Sequence, residues 1–395
     1  MTDSTAWRRN VFAVTAASFM GYTGFTLVMP FLPLFIAQLG ITDVGEIAMW
    51  TGLCLGITPA LTALLAPAWG RLGDRFGRKI MVERSLISFV VLFAAMAFVT
   101  SVWQVLALRA IQGLFAGYGS LSVAMAAESA PRDRMPNAIG AVQTAQRIGP
   151  GVGPVIGGLL ASLVGLRQAF VATALFYFVA LVIVYALYDD RATHAQPADA
   201  ADTGRVTFRN VLAFRNFILM MSVIFGLQFV DRSFGPVLPL YVEQTGITRA
   251  NVALVSGTLF SIMAFTGALG HHFCGKLLRH YASRVVIAGG AAVAAAGAGL
   301  FGLSGNFWIM MAASVLLGLG IGAAMTASYS AAGAVIPPGA HGAGFGMLTS
   351  ASLVGMASSP FIAGFVGGAS IRVVFFVDLA LMAILAAVVQ KTMAD

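Results

Sequence analysis

The sequence predicts an all-α membrane protein, with twelve transmembrane helices in two six-helix bundles related by a pseudo-twofold axis. Three observations predict it. Apolar runs recur along the whole chain, positive charges gather on alternate connections, and the second half repeats the prolines and glycines of the first.

The apolar runs follow from composition. Of 395 residues, 59% are hydrophobic and 10% charged, whereas a water-soluble domain carries about a quarter charged residues. So few charges cannot clothe a soluble surface. Apolar runs of roughly 18 to 25 residues are each long enough to cross about 30 Å of hydrocarbon. They place helices at 10–37, 47–69, 80–100, 103–128, 136–162, 167–188, 215–242, 250–272, 284–304, 307–332, 342–366 and 371–390. The first run follows Trp7-Arg8-Arg9, is too long for a signal sequence and lacks a small-residue cleavage site, so no cleavable signal peptide is expected.

A net charge of +8 would suggest nucleic acid in a soluble protein, but its distribution points to a bilayer. With the N-terminus inside, Arg71, Arg75, Arg78, Lys79, Arg132, Arg134, Arg191, Arg205, Arg209, Lys276, Arg279 and Arg284 fall on cytoplasmic segments. Only Arg167, Arg249 and Arg372 fall at external helix edges. Cations retained inside predict cytoplasmic termini and an even helix count. The partners expected are the lipid bilayer and no nucleic acid. Cys54 and Cys274, the only cysteines, lie within apolar runs and cannot form a metal-ligand cluster, so neither a metal site nor a cofactor is expected. His271-His272 reads as an interfacial pair ending helix 8 rather than as a proton or metal site.

Residues 189–213 are polar, rich in Ala, Asp and Pro, and longer than the other connections, which predicts a cytoplasmic linker, with a short interfacial helix near Val206–Ala213. It divides an N-terminal bundle, 1–188, from a C-terminal bundle, 214–395. The halves match at a shift of 206 residues: Pro30, Pro33, Gln38, Gly40, Ile41 and Thr42 answer Pro236, Pro239, Gln244, Gly246, Ile247 and Thr248. Gly149, Pro154 and Gly158 answer Gly355, Pro360 and Gly364. One position out of step, Trp103, Gly113 and Gly117 answer Trp308, Gly318 and Gly322. A duplicated unit with an even number of passes crosses the membrane in one sense twice, so its copies relate by an axis along the membrane normal and can tilt about a shared pocket.

Three motifs sit on this frame. Between helices 2 and 3 stands Gly70-Arg71-Leu72-Gly73-Asp74-Arg75-Phe76-Gly77-Arg78-Lys79, whose glycines permit a tight turn and whose cations favour the anionic inner leaflet. Helix 4 carries Arg109-Ala110-Ile111-Gln112-Gly113. Helix 5 carries Gly149-Pro150-Gly151-Val152-Gly153-Pro154-Val155-Ile156-Gly157-Gly158, where missing side chains let another helix approach and Pro154 removes a backbone hydrogen bond.

These three motifs resemble those of the major facilitator superfamily, and the helix 5 motif, with Pro30 and Pro33, is similar to that of its drug:proton antiporters. The resemblance covers the whole chain, most specifically its first half. It implies the major facilitator fold in the inner cell membrane, alternating access, a small-molecule substrate, exchange against protons and a monomer. It also implies a conformational latch of Gly70, Asp74, Arg75, Gly77 and Arg78, with Asp74 against the N-terminal end of helix 11. The second-half copy has Arg279 in the place of Asp74. Gly149, Gly153, Pro154, Gly157 and Gly158 form the antiporter motif.

A charge at mid-membrane costs roughly 2.5–3.5 kcal/mol or more, so each needs a reason. The candidates are Arg109, Arg147, Asp231, Arg232 and Asp378. Arg109 either binds backbone carbonyls of helix 1 or takes part in proton transfer, its long side chain partly snorkelling. Arg147, flanked by Gln143 and Gln146, reads as a substrate or proton-relay contact, with an interdomain ion pair as the alternative. Asp231, beside Arg232, is the candidate coupling acid, the alternative being a static pair with an arginine. Asp378 lies in helix 12, peripheral in this architecture. Glu128 reads as a gate or a water-facing acid. Exporters of cationic drugs often carry an acid in helix 1, and residues 11–37 contain none; with three arginines and two aspartates among the five candidates, the balance favours neutral, zwitterionic or anionic substrates. Tyr22, Phe25, Gln112, Tyr118, Gln143, Gln228, Phe229, Phe260, Met263 and Tyr329 are the candidate lining of a cavity that tolerates varied apolar shapes.

Other classes fare worse. Gly270 to Lys276 imitates a phosphate loop, but Leu277 stands where a magnesium-binding hydroxyl belongs, and the segment ends a membrane helix. No His-Glu-x-x-His or Gly-x-Ser-x-Gly supports an intramembrane enzyme, and no catalytic residue is assigned. A proton-coupled importer or exporter of a specific metabolite or sugar on the same fold is the closest alternative.

Overall fold

The computed structural model describes residues 6–131, 134–189, 216–336 and 341–393. Most of the predicted linker, with Arg191, Arg205 and Arg209, and also Arg132, lies outside the described residues. The described chain is built of helices: α1 (Ala6–Leu27), α2 (Leu32–Gln38), α3 (Val44–Phe76), α4 (Arg78–Met96), α5 (Val102–Phe115), α6 (Tyr118–Ser129), α7 (Met135–Val164) and α8 (Leu166–Leu187). In the second half come α9 (Phe217–Gln244), α10 (Arg249–Leu277), α11 (Ser283–Leu303), α12 (Phe307–Val335), α13 (His341–Ala369) and α14 (Ile371–Thr392).

By length and apolar composition, ten spans among the described residues can cross a membrane, and eleven when the bent pair α1–α2 counts as one. Predicted helix 3 is α4, which concentrates Arg78, Lys79, Glu83 and Arg84 in its first two turns. The chain is a multi-pass membrane protein.

Two predicted helices are broken. Helix 1 stops at Leu27 and resumes at Leu32 with a bend of 48°, where Pro30 and Pro33 deny the backbone two donors. Helix 4 is interrupted at Ala116–Gly117, where Gly117 takes φ +115°, a left-handed conformation that disfavours any Cβ. The predicted loop 70–79 is likewise revised. Helix α3 runs on to Phe76, and Gly77 alone, at φ +93°, turns the chain into α4.

The repeat reappears in the packing. Helix α1 packs on α7 and α8, and α4 on α8; their counterparts pair identically, α9 on α13 and α14, and α11 on α14. The helix starts match too. Ser101 Oγ accepts from the Trp103 N–H at 3.2 Å, and Asn306 Oδ1 accepts from the Trp308 N–H at 2.9 Å, so the same N-cap opens corresponding helices. Both tryptophans are exposed, at 66% and 72%, as suits rings at a membrane interface.

Packing groups the chain into two compact units. One holds the described residues within 1–40, 61–198 and 249–261, the other those within 41–60, 199–248 and 262–395. The start of α10 therefore packs with the first-half helices, and the start of α3 with the second-half helices.

Candidate functional site

Helix α7 serves two partners at once. Gly149, Gly153 and Gly157, spaced one turn apart, face α1. A Cβ on Gly149 would lie 2.9 Å from both the Phe19 carbonyl oxygen and the Thr23 nitrogen, and one on Gly157 would overlap the Leu27 carbonyl. Pro154 and Gly158 face α10 instead. Gly158 rests on the Ala253 carbonyl, Gly257 rests on that of Pro154, and Ser261 Oγ accepts from the Val155 N–H at 3.1 Å. Helix backbones approach this closely only where side chains are missing.

The second copy repeats both seams. Gly355 lies against α9, where a Cβ would be 2.6 Å from the Phe225 carbonyl, and the Ser359 hydroxyl donates to the Phe229 carbonyl. Gly364 lies against the start of α3, where a Cβ would be 2.6 Å from the Ala48 carbonyl, and Gly52 rests on the carbonyl of Pro360. Phe19, Thr23, Ala48, Gly52, Pro154 and Gly158 thus each have a counterpart making the same contact.

Within the first unit, polar and aromatic side chains of α1, α5, α6, α7 and α8 make a set of buried and half-buried contacts. Arg109 is buried, at 2% exposure, so it does not snorkel. Its Nη1 donates to Gln112 Oε1 at 3.1 Å, and its guanidinium lies 5.8 Å from the Phe93 ring centre. Tyr22 and Tyr118 hold their rings 5.7 Å apart, Gln146 Nε2 donates to the Gly119 carbonyl at 2.9 Å, and the Tyr177 hydroxyl donates to the Gly21 carbonyl at 3.0 Å. Phe25 is half-buried and Phe260 buried. Gln143 and Arg147 are exposed, and helical spacing puts them on the face that carries Pro154 and Gly158, before that face meets α10. A cavity of about 430 Å³ in this unit opens among Leu34, Gln38, Ser162, Arg249 and Ala253; none of the predicted lining residues borders it.

Within the second unit, Asp231 and Arg232 form an ion pair of 3.2 Å with side chains 37% and 25% exposed. Ser352 donates to Gln228 Oε1 at 3.4 Å, Tyr329 stacks on Phe345 at 6.5 Å between ring centres, and Phe229 and Met263 are buried. His271 Nδ1 lies 2.6 Å from Thr326 Oγ1, while His272 is exposed.

Asp378, on α14, is completely buried, with Oδ2 2.6 Å from Ser233 Oγ on α9. The signal was present: Ile371, Val374, Phe375, Asp378, Met382, Leu385 and Val389 form one helical stripe, which places the acid on the inward face of α14.

Of the predicted latch, Arg75 lies beside Phe76, its guanidinium 5.3 Å from the ring centre, and Arg78 pairs with Glu128 at 2.7 Å. Gly70 and Asp74 fall on α3, and the Asp74 side chain lies outside what the structure describes. Sequence reasoning missed Arg84, which stacks over Trp69 at 3.6 Å and donates from Nη2 to the Phe115 and Ala116 carbonyls at 3.0 and 3.4 Å. It thereby caps the broken end of α5 with a cation, the sign a helix C-terminus favours.

Comparisons with known proteins agree on a family. The sequence profile of the Major Facilitator Superfamily matches residues 14–305 and, in an overlapping second match, 233–393. The chain is 32% identical over 274 residues to multidrug resistance protein MdtG of Proteus mirabilis, covering 69% of this chain and 68% of that one. It is 34% identical over 275 residues to MdtG of Yersinia enterocolitica, covering 70% and 66%. It is 32% identical over 290 residues to a multi-drug resistance efflux pump PmrA homolog of Lactococcus lactis, covering 72% and 70%. Among solved structures, a bacterial homolog of the human lysosomal transporter Spinster, in an inward-facing and occupied conformation, superposes with a TM-score of 0.76 over 99% of this chain and 98% of that one, at 16% identity; this likeness concerns the fold.

Proposed function

The chain belongs to the major facilitator superfamily, and from that premise we propose that it is a secondary active transporter that exports small amphipathic or apolar compounds in exchange for protons. Its relatives named for multidrug resistance and efflux support that class of cargo. The observation that carries the mechanism is the division of the α7 motif, one glycine face on α1 and the other on α10, copied on α13 towards α9 and α3.

The α1–α7 and α9–α13 seams join helices of the same repeat and stay closed. The α7–α10 and α13–α3 seams join helices of different repeats and part when the halves, 1–188 and 214–395, tilt. With both termini cytoplasmic, Gly52, Gly158, Gly257 and Gly364 lie in the outer half of an inner-membrane span. Closed seams then shut the outer side, and parted seams open it. Contacts made of backbone against backbone suit this task, because they carry no long side chains to disentangle. Arg78 and Glu128 join α4 to α6 within the first repeat and hold that bundle together at its cytoplasmic side.

Substrate meets the exposed stripe of Gln143 and Arg147 and the half-buried Tyr22 and Phe25. Asp231, part exposed and beside Arg232, is the acid placed to exchange protons with water; when it is protonated, Arg232 is left as an unmatched cation, and the cost of that charge couples proton to conformation. The protein works as a monomer, without cofactor or catalytic residue. A transmembrane potential adds about 2.3 kcal/mol per charge per 100 mV to this exchange.

Purified protein in proteoliposomes, given an imposed pH gradient and a panel of fluorescent amphipathic compounds, tests the reading. Gradient-driven movement of one or more compounds against protons is expected. Accumulation that ignores the gradient discards antiport, and strict selectivity for one sugar or metabolite replaces drug-type efflux with a specific carrier.

A further inference from the structure

We propose that Asp378 and Ser233 form a second proton-binding site, buried within the C-terminal helices, which is loaded in this conformation and empties when α9 bends. The proposal rests on the proton-coupled reading above and adds a site to it.

The hydrogen bonds account for the proton. Ser233 Oγ lies 2.6 Å from Asp378 Oδ2 and 2.9 Å from the Val230 carbonyl oxygen. A hydroxyl has one proton to donate. A carbonyl can only accept, so both contacts are full two-centre hydrogen bonds only when the Ser233 proton goes to Val230 and the Asp378 carboxyl donates its own to Ser233, the alternative being one proton shared weakly between two acceptors. A carboxylate would have to take the Ser233 proton for itself, and its other oxygen would still be bare, since Oδ1 is buried without a partner among the described residues. Leaving an ion so poorly solvated inside a membrane bundle is costly. The surroundings do not relieve it. Neighbouring Phe375 and Phe234 hold their rings 5.2 Å apart, and Leu379, the next residue, lies against Gly299.

No ion pair with Asp378 is formed among the described residues. Helix α14 packs on α9, α11 and α13. Their ionisable side chains are Asp231, Arg232, Tyr241 and Glu243 on α9, Arg284 on α11 and His341 on α13, with Arg372 and Lys391 on α14 itself. Asp231 and Arg232 hold each other at 3.2 Å, and the Tyr241 hydroxyl donates to the Phe301 carbonyl at 2.7 Å. The hydrogen bonding of Asp378 among the described residues is to Ser233 alone, with Oδ1 unpartnered.

The release step comes from α9. Pro236 and Pro239 lie just beyond Ser233 and withhold the backbone donors that would bond Arg232 and Gly235. Helix α9 is nevertheless continuous here. Its counterpart, with Pro30 and Pro33 in matching places, is broken and bent by 48°. One proline pattern therefore occurs in a straight and a bent form within a single molecule. A bend in α9 like that in helix 1 would carry Ser233 off Asp378, expose the carboxyl to water and release its proton.

Infrared difference spectroscopy and flux measurements on the full chain in proteoliposomes test this. Wild type should show a protonated-carboxyl C=O band that is lost as substrate drives the conformational change. D378N should lack that band, lose pH-gradient-driven transport and retain substrate counterflow, since the amide still donates to Ser233. S233A should shift the band to higher frequency by removing its acceptor; should D378N fail to fold, S233A decides alone. The proposal is overturned by a D378N protein that transports against a pH gradient like wild type, by a band that persists in D378N, or by one that S233A leaves in place. A wild type that ignores a pH gradient defeats proton coupling as a whole, while the band still reports whether Asp378 carries a proton.

Discussion

Gly257 rests on the carbonyl oxygen of Pro154 so closely that an added Cβ would overlap it, and Gly52 rests on that of Pro360 in the same way. The two contacts are copies of each other made by the two halves of a duplicated sequence. They bring α10 to α7 and α3 to α13 with nothing but backbone at the meeting point.

A side chain at 257 should therefore wedge the α7–α10 seam. In G257V, overpacking of about 1–3 kcal/mol acts only on the closed seam, shifting the equilibrium roughly 5- to 150-fold towards the parted one. Transport should fall. A cysteine placed at Ser261, which is 5% exposed, should react faster with an impermeant thiol reagent in G257V than in the parent, with Cys54 and Cys274 both buried and silent. Equal labelling rates would remove the seam from the mechanism.

For Asp231 the decisive change is D231N, which keeps the shape and removes the charge beside Arg232. Substrate movement should continue down its own gradient but stop responding to an imposed pH difference. Wild-type coupling in D231N would leave the ion pair a static feature of α9.

Arg109 is an interior group, and its loss should show in stability. R109A strands Gln112 Oε1 and opens a cavity beside Phe93, which should cost about 2–5 kcal/mol. The apparent melting temperature in detergent should drop by several degrees, with R109K intermediate, since an ammonium lacks the planar fork. Melting like wild type would show that the cation is not held by its surroundings.

Arg84 should matter comparably, although nothing in its sequence context marks it. R84A removes charge-assisted hydrogen bonds to the Phe115 and Ala116 carbonyls and a stack on Trp69, about 1.5–3 and 0.5–2 kcal/mol respectively. Thermal melting of R84A and W69A should coincide with that of the double variant if the two side chains act as one clamp. Additive losses would make them independent.

Much of this protein was legible in its sequence for a simple reason. Spans were visible because each must hide its whole backbone over a fixed thickness of hydrocarbon. The repeat was visible because it is written in glycine and proline, whose effects belong to the backbone. Gly149, Gly153 and Gly157 could be read as a close-approach face, but their partner could not, and neither could the assignment of Pro154 and Gly158 to a different helix. Asp378 lay on a legible inward stripe of its own helix, but its partner on α9 could not be read from the sequence. Arg84 was missed because its carbonyl partners become available only once α5 breaks.

What the sequence by itself determined is the set of membrane crossings, their duplication and the backbone faces that helices can share. What only the tertiary structure decided is how identical patterns resolve. Pro30 and Pro33 break their helix while Pro236 and Pro239 leave α9 continuous, and Gly117 adopts φ +115° while Gly322 stays helical against Gly267. Glycine and proline lower the cost of a break without requiring one. The choice falls to the neighbours: at 117 a tryptophan lies alongside and an arginine takes the freed carbonyls, whereas at 322 another helix backbone lies flush against an unbroken turn.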